Sequence, residues 1–333
     1  MKVGIVGCGL IGGKRAAAVH APHRVVGLCD VRISAAESLA AKIGEKDLYI
    51  TDSYEDLILH SGADLIVVAA MVNMLAPVTL FAVSHGKHVI VEKPAARCAE
   101  ELLPVMQAAR DRGVVVKVGF NHRYHPALLK ARELMDTFPE KIGPVMFIRG
   151  RYGHGGRVGY DREWRADPSL SGGGELIDQG IHLIDLSRWF MGDFEQADGF
   201  TGTYFWDMPV DDNGFIALRK SDGRAAWLQV SCTEWKNMFS FEIYCKHAKL
   251  AVDGLGGSYG TERLSWYQML PQMGPPETTI FEYPRGENSW DLEFREVVRA
   301  VETGTPLTMG DISDAYEALR VVDAIYAKEK QPR

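Results

Sequence analysis

Met1-Lys2-Val3-Gly4-Ile5-Val6-Gly7-Cys8-Gly9-Leu10-Ile11-Gly12 reads as a short apolar strand running straight into a glycine turn. Gly7, Gly9 and Gly12 have the spacing G-x-G-x-x-G. In such a loop the first glycine permits a tight turn and the second lets backbone approach a pyrophosphate. The third lets the following helix pack close to the strand. That helix starts at the turn, so the free N–H groups of Leu10, Ile11 and Gly12 and its positive dipole end face the phosphates. Alone the triplet is weak, since an ordinary βαβ turn also favours glycine. Its context is stronger: a β-branched strand precedes it, a helical stretch (Lys14 to His20) follows, and a second strand, Arg24 to Cys29, ends in Asp30. Asp30 lies 18 positions past Gly12, close to the spacing of a carboxylate that hydrogen-bonds an adenosine ribose 2′-OH. A carboxylate there repels a 2′-phosphate, which favours NAD over NADP. Arg32 is the qualification, because it could stack on adenine or pair with that phosphate.

The chain of 333 residues exceeds one typical domain, so two are expected. Net charge is −7 with acids and bases interspersed, which gives no electrostatic case for nucleic acid or an anionic membrane surface. No apolar run is long enough to span a bilayer, and the first residues are already strand and loop, not a signal peptide. The five cysteines, Cys8, Cys29, Cys98, Cys232 and Cys245, show neither CxxC nor zinc spacing and are odd in number. They read as reduced, mostly buried thiols of a cytoplasmic protein.

Strand and helix alternate through the first part. Ser34 is expected to cap the helix Ala35 to Ile43, with Glu37 completing a capping box. Ala63 to Ala70 is nearly all apolar, as in a parallel strand buried on both faces. Its end feeds Met71-Val72-Asn73, where open α/β sheets place ligands, and a helix Pro77 to His85 follows. The strand His88 to Val91 ends in Glu92-Lys93-Pro94, and a helix (Ala99 to Arg112) leads to the strand Val114 to Gly119. Such alternation means a doubly wound parallel sheet. After Phe120 the pattern changes. One helix, Gly174 to Phe190, is succeeded by strand after strand from Phe200 to Phe281, which indicates an antiparallel sheet. Trp206, Trp227, Trp235, Trp266 and Phe239 lie in or near it. Exposed there they would suggest a subunit interface; packed under helices of the same chain they would be core. Two helices, Asn288 to Thr303 and Ile312 to Lys330, close the chain, the second expected to return over the nucleotide-binding domain.

Lys93 stands at a parallel strand's C-terminal end, and Pro94 pushes it toward an extended conformation aimed into the cleft. A lysine there can stabilise a developing alkoxide; the plainer reading is a solvated charge. In Ser171-Gly172-Gly173-Gly174-Glu175-Leu176-Ile177-Asp178-Gln179-Gly180-Ile181-His182-Leu183-Ile184-Asp185, helical spacing puts Asp178, His182 and Asp185 on one face. An Asp one turn away can orient an imidazole and raise its basicity, so His182 could take a hydroxyl proton as hydride leaves the same carbon. The glycines would let a ligand approach the helix backbone. One His with two Asp is a poor zinc set, so no metal is expected, and an Asp–His pair that merely caps a buried helix is the plainer alternative. Arg151, His154, Arg157, Arg162 and Arg165 form a basic loop suited to carboxylate or phosphate, or a solvated one neutralised by Asp161 and Glu163.

The glycine loop, Glu92-Lys93-Pro94, Gly119-Phe120-Asn121-His122-Arg123-Tyr124-His125-Pro126, Trp164-Arg165, and Gly172-Gly173-Gly174 with Asp178 and His182 together resemble the glucose–fructose oxidoreductase/inositol dehydrogenase (Gfo/Idh/MocA) family along the whole chain. The resemblance implies a Rossmann domain, residues 1–121, binding NAD, then an open-faced, mostly antiparallel α/β domain, residues 122–333, whose sheet often forms the oligomer interface as a homodimer or homotetramer. It implies that Lys93 contacts substrate and cofactor, that His182 is the acid/base with Asp178 beside it, and that Glu92 and Asn73 face the cofactor. Arg123, Tyr124, Trp164 and Arg165 would face the substrate. One departure is Ala76, where the family often has a histidine three residues after the Asn of this turn. The implied activity is hydride transfer between nicotinamide and a secondary hydroxyl of a sugar, cyclitol or nucleotide-linked sugar. An NAD-dependent glycosidase with a closed redox cycle and a non-catalytic dinucleotide or sugar sensor are the alternatives.

Overall fold

The computed structural model describes residues 1–284 and 288–329; Lys330, the expected end of the last helix, lies outside them. The chain forms two compact units. The first joins Met1–Asn121 to Trp290–Tyr316, and the second joins His122–Ser289 to the residues from Glu317 onward.

In the first unit six strands, β1 (Lys2–Val6), β2 (Arg24–Cys29), β3 (Tyr49–Thr51), β4 (Leu65–Val68), β5 (His88–Val91) and β6 (Val116–Val118), pair in the order β3-β2-β1-β4-β5-β6. Every pairing is parallel. The order reverses between β1 and β4, the crevice where open sheets bind ligands. β4 is buried along its whole length, as its unbroken apolar run requires. Val3, Ile5, Leu28, Leu65, Val67 and Ile90 form a core with Phe294 and Val297 of the helix Ser289–Thr303. That penultimate helix therefore completes the first unit, while the last one, Ile312–Glu329, gives only its start to it.

Two helix starts differ from expectation. The helix after β2 is Ile33–Ile43 with Arg32 at its N-cap, so Ser34 sits inside the first turn and makes no cap. The Asp30 carboxylate already accepts the Arg32 N–H at 2.9 Å, which draws the helix start forward. The helix after β4 is Val72–Ser84, and it carries Pro77 in its interior. Asn73 accordingly lies in a helical first turn, not in a loop before one.

The second unit holds eight strands: β7 (Val145–Gly153), β8 (Gln196–Gly202), β9 (Asn213–Arg219), β10 (Ala225–Ser231), β11 (Met238–Cys245), β12 (Ala248–Asp253), β13 (Glu262–Gln268) and β14 (Glu277–Tyr283). Their order is β14-β13-β12-β11-β7-β10-β9-β8. All neighbours are antiparallel except β7 and β10, which run parallel because β7 inserts into the middle of the sheet. Alternation along the strands sends Ile148, Leu228, Phe241 and Ile243 to a buried face under the helix Gly180–Met191. The opposite face carries Phe147 and Trp227, 42% and 57% exposed. Of the other aromatics flagged in the sequence, Trp235 is exposed whereas Trp266 and Phe239 are buried.

Candidate active site

The glycine loop is built from steric limits. Gly7 has φ +93°, and a Cβ there would collide with the Ala69 carbonyl. A Cβ at Gly12 would strike the Gly7 carbonyl oxygen, so that glycine lets helix Leu10–Ala17 lie against the strand. Gly9 differs: a Cβ there meets nothing within 4 Å, and the residue is exposed at a helix start that no side chain caps. Leu10 is exposed beside it, with Ile11 half-buried. Across the loop, the Cys8 N–H donates to Asp30 Oδ2 at 2.9 Å, fixing the acid at the end of β2. Arg32 is exposed next to it. Asn73 Oδ1 is buried with no hydrogen-bond partner among the described residues. Open backbone at an uncapped helix start, a fixed carboxylate and an orphaned acceptor all fit a dinucleotide. Ala76 is buried.

Lys93 is half-buried, joined to Pro94 by a cis peptide bond. Its neighbour Glu92 does not present a free carboxylate. Arg15 Nε donates to Glu92 Oε1 at 2.7 Å, and the same guanidinium meets Glu293. Lys117 Nζ lies 3.7 Å from Glu293 Oε1 and donates to the Met309 carbonyl at 2.6 Å. Two cations and two anions thus balance in a buried network. Burial raises the Glu92 carboxyl above its ordinary range against the pull of Arg15, and the Glu293 charge adds to the rise.

In the second unit the expected single helix is broken. Glu175–Asp178 forms one turn and Gly180–Met191 the next, with Gln179 between them. Asp178 and His182 therefore stand on successive helices. Arg165 Nε donates to Asp178 Oδ2 at 3.3 Å. The His182 ring, 4% exposed, stacks on His122 at 3.7 Å between centroids and 18° between planes. Tyr152 meets both imidazoles edge-on, at 5.2 Å and 6.1 Å. Asp185 grips Arg123 in a two-pronged ion pair of 2.6 and 2.8 Å, so this guanidinium fork is already filled; Tyr124 beside it is buried.

The glycine run before these helices has a different cause from the one expected. A Cβ at Gly174 would enter the Asp211 backbone, and one at Gly173 would enter the Tyr326 ring. Asp211 also accepts the Gly174 and Leu176 N–H groups at 3.0 and 2.8 Å, and Tyr326 Oη donates to it at 2.7 Å. The glycines admit the chain's own loop. Buried Glu175 accepts from Tyr160 Oη at 2.9 Å, with His154 Nε2 at 3.5 Å. Burial, then the Glu175 charge, pushes the Tyr160 phenol upward. The basic loop is largely neutralised: Arg157 pairs with Glu163 at 2.7 Å, and Arg165, lying over the Trp164 ring, bridges Glu163 and Asp178.

Residues 1–120 match the model of an oxidoreductase family with an NAD-binding Rossmann fold, and residues 128–251 match the Gfo/Idh/MocA C-terminal domain. The chain belongs to the Gfo/Idh/MocA family. It is an NAD-binding oxidoreductase. Among its relatives, a D-glucoside 3-dehydrogenase of Escherichia coli K12 is 27% identical over 352 residues, covering 98% of this chain and 94% of that enzyme. A levoglucosan dehydrogenase of Pseudarthrobacter phenanthrenivorans is 27% identical over 236 residues, but that alignment takes in only 66% of this chain and 58% of the enzyme. A solved levoglucosan dehydrogenase in complex with NADH shares the fold, with a TM-score of 0.87 at 21% identity, over 99% of this chain and 97% of that one.

Sequence reasoning missed several residues of this family member. Tyr152 on β7 carried no signal, and His122 stood only within the Gly119–Pro126 run with no role given to it; the fold brings both rings to His182. The adjacent acids Asp211 and Asp212 fall at no motif spacing either. Asp212 accepts the N–H groups of Tyr204, Phe205 and Trp206 at 2.7 to 3.1 Å. Among the described residues, no group of His, Cys, Asp or Glu is arranged to hold a metal ion.

Proposed function

We propose that this enzyme oxidises, or in reverse forms, a secondary hydroxyl of a sugar, cyclitol or nucleotide-linked sugar with NAD. The nicotinamide supplies the hydride acceptor when bound. His182 takes the hydroxyl proton as the C–H bond breaks, and Lys93 donates to the oxygen as it becomes a carbonyl. Asp178, held by Arg165 and set off from His182 by the break at Gln179, orients substrate hydroxyls together with Trp164. The observation carrying this reading is His182, a buried imidazole flanked by aromatic rings at the start of a helix. The relatives' dehydrogenase activities support an ordinary dehydrogenase over a closed-cycle glycosidase or a sensor. Asp30, fixed by two backbone N–H groups, supports NAD over NADP.

Incubation with NAD and a panel of sugars and cyclitols, with NADH formation followed optically, tests it. His182→Ala should lose about 10²–10⁴-fold in turnover while still binding NAD; undiminished turnover would sink the assignment. The same reading gives a homodimer or homotetramer through the open sheet face, supported by exposed Phe147 and Trp227. A cytoplasmic location is supported by five free cysteines.

A further inference from the structure

We propose that Glu175 is a positioning residue for sugar binding: its buried carboxylate fastens Tyr160 and His154, and so holds the loop 154–165 where Trp164 meets the substrate. The inference rests on the reading of Trp164 as substrate-facing beside Asp178. Glu175 is 2% exposed, and two groups of the loop converge on one of its oxygens. Tyr160 Oη donates to Oε1 at 2.9 Å, and His154 Nε2 lies 3.5 Å from the same atom. The Gly156 N–H donates to His154 Nδ1 at 3.0 Å, so a neutral ring carries its proton on Nε2, toward Glu175. Burial, then the Glu175 charge, pushes the Tyr160 phenol upward, so it keeps its proton and stays a donor.

The support beneath this carboxylate is fixed. The Glu175 N–H donates to the Asp211 carbonyl at 2.9 Å, the Gln179 N–H to the Glu175 carbonyl at 2.9 Å, and the His182 N–H to the Gln179 carbonyl at 3.1 Å. One backbone track therefore runs from Glu175 to His182. Three residues after Glu175, Asp178 accepts from Arg165 Nε at 3.3 Å. The loop thus meets this track at His154, Tyr160 and Arg165. It needs such fastening. Gly155, Gly156 and Gly159 leave the chain between His154 and Tyr160 little stiffness of its own, and Val158 there is exposed. When the hydrogen bond to Glu175 is lost, the loop is released part of the time. Apparent sugar affinity then falls by the fraction of molecules that keep it in place.

The test compares Tyr160→Phe, Glu175→Leu and Glu175→Gln with wild type by kcat and KM for the sugar, NAD affinity, and hydrogen exchange of the loop. Tyr160→Phe keeps its ring against His154 and Trp206 and removes only the hydroxyl. It and Glu175→Leu should raise the sugar KM by about tenfold, with kcat within about threefold and NAD affinity unchanged. Exchange across residues 154–165 should quicken in both. Glu175→Gln keeps Oε1 as the acceptor, so its KM should stay within about threefold of wild type. An unchanged KM in Tyr160→Phe, a loss confined to kcat and melting temperature, or a glutamine variant as impaired as leucine overturns the proposal. If Glu175→Leu does not fold, Tyr160→Phe and Glu175→Gln decide. The reading beneath the proposal fails in a different way. Trp164→Ala with an unchanged sugar KM would show that the loop does not face the substrate, even where Tyr160→Phe loosens it, and the proposal would fall with that reading.

Discussion

Arg15 Nε donates to Glu92 Oε1 across 2.7 Å, joining the glycine-loop helix to the strand end that carries Lys93, 77 residues away in sequence. The guanidinium also lies over the Trp290 ring at 4.4 Å, and a Cβ at Gly119 would come within 2.6 Å of its Nη2. Gly119 is therefore glycine because this pair occupies its side-chain space. Arg15→Met leaves Glu92 and Glu293 buried beside one another without their shared cation. Removing one partner of a buried pair costs about 3–5 kcal/mol. Urea unfolding should show that loss, and Arg15→Lys should recover little of it, since one ammonium cannot reproduce the fork. An unchanged midpoint for Arg15→Met would mean the network contributes nothing net.

Asp212 makes a pH prediction. Burial works against its charge, yet N–H bonds from Phe205, Tyr204 and Trp206 prevail and hold the carboxyl below its ordinary value. A depressed folded-state value contributes stability above the unfolded value, near 3.8, and that stability is lost as pH falls through the folded one. Asp212→Asn should therefore be less stable than wild type at pH 7, with the gap closing at acid pH. A gap that stays constant down to the onset of acid unfolding would show that the charge is not what holds the loop.

The first unit was legible because its signals are local. A β-strand, three glycines and an acid at fixed spacing constrain one another through backbone sterics, and apolar runs such as Leu65–Val68 mark parallel strands directly. The second unit was legible in class only. Asp178 and His182 were singled out by residue type, but the break at Gln179 that puts them on successive helices was not. Glu92, expected to face the cofactor, holds Arg15 from 77 residues away. Contacts of that range leave no periodic trace in the sequence.

Two of the loop glycines, Gly9 and Gly12, should behave differently when changed to alanine. Gly9 has extended backbone, φ −76°, and open space for a Cβ, so Gly9→Ala should melt like wild type. Its methyl would nevertheless stand where phosphate approaches, and NAD affinity should fall by at least tenfold. Gly12→Ala should lower both stability and binding, because its Cβ strikes the Gly7 carbonyl. Thermal melting with NAD titration separates the two. Equal behaviour of both variants would remove Gly9 from the cradle.

Asp30 should set the cofactor ratio. Its carboxylate is fixed by the Cys8 and Arg32 N–H groups, each at 2.9 Å, leaving its remaining lone pairs for a ribose hydroxyl. A charge-assisted hydrogen bond contributes about 1.5–3 kcal/mol, so Asp30→Ala should weaken NAD by roughly 10- to 100-fold. NADP should weaken less or improve, as the repulsion is gone and exposed Arg32 is at hand. Fluorescence titration of both nucleotides measures the ratio. A parallel loss for the two would assign Asp30 to loop architecture alone.

Trp227 should hold the assembly together. Its strand register sets it beside Ala217 on one neighbour and Arg149 on the other, so its ring stands above small or flexible side chains. Stacked pairs flank it on the same sheet, Phe147 with Tyr244 at 4.2 Å and Phe200 with Phe215 at 4.7 Å. A central aromatic at an interface commonly contributes 2 kcal/mol or more, about 30-fold in affinity. Trp227→Glu adds the burial of an unpaired charge to that loss. Sedimentation velocity should show wild type as a dimer or tetramer and the variant shifted to monomer at micromolar concentration, with NAD binding retained. A wild type that is already monomeric would end the interface proposal, and an unshifted oligomer would place the interface elsewhere on the chain.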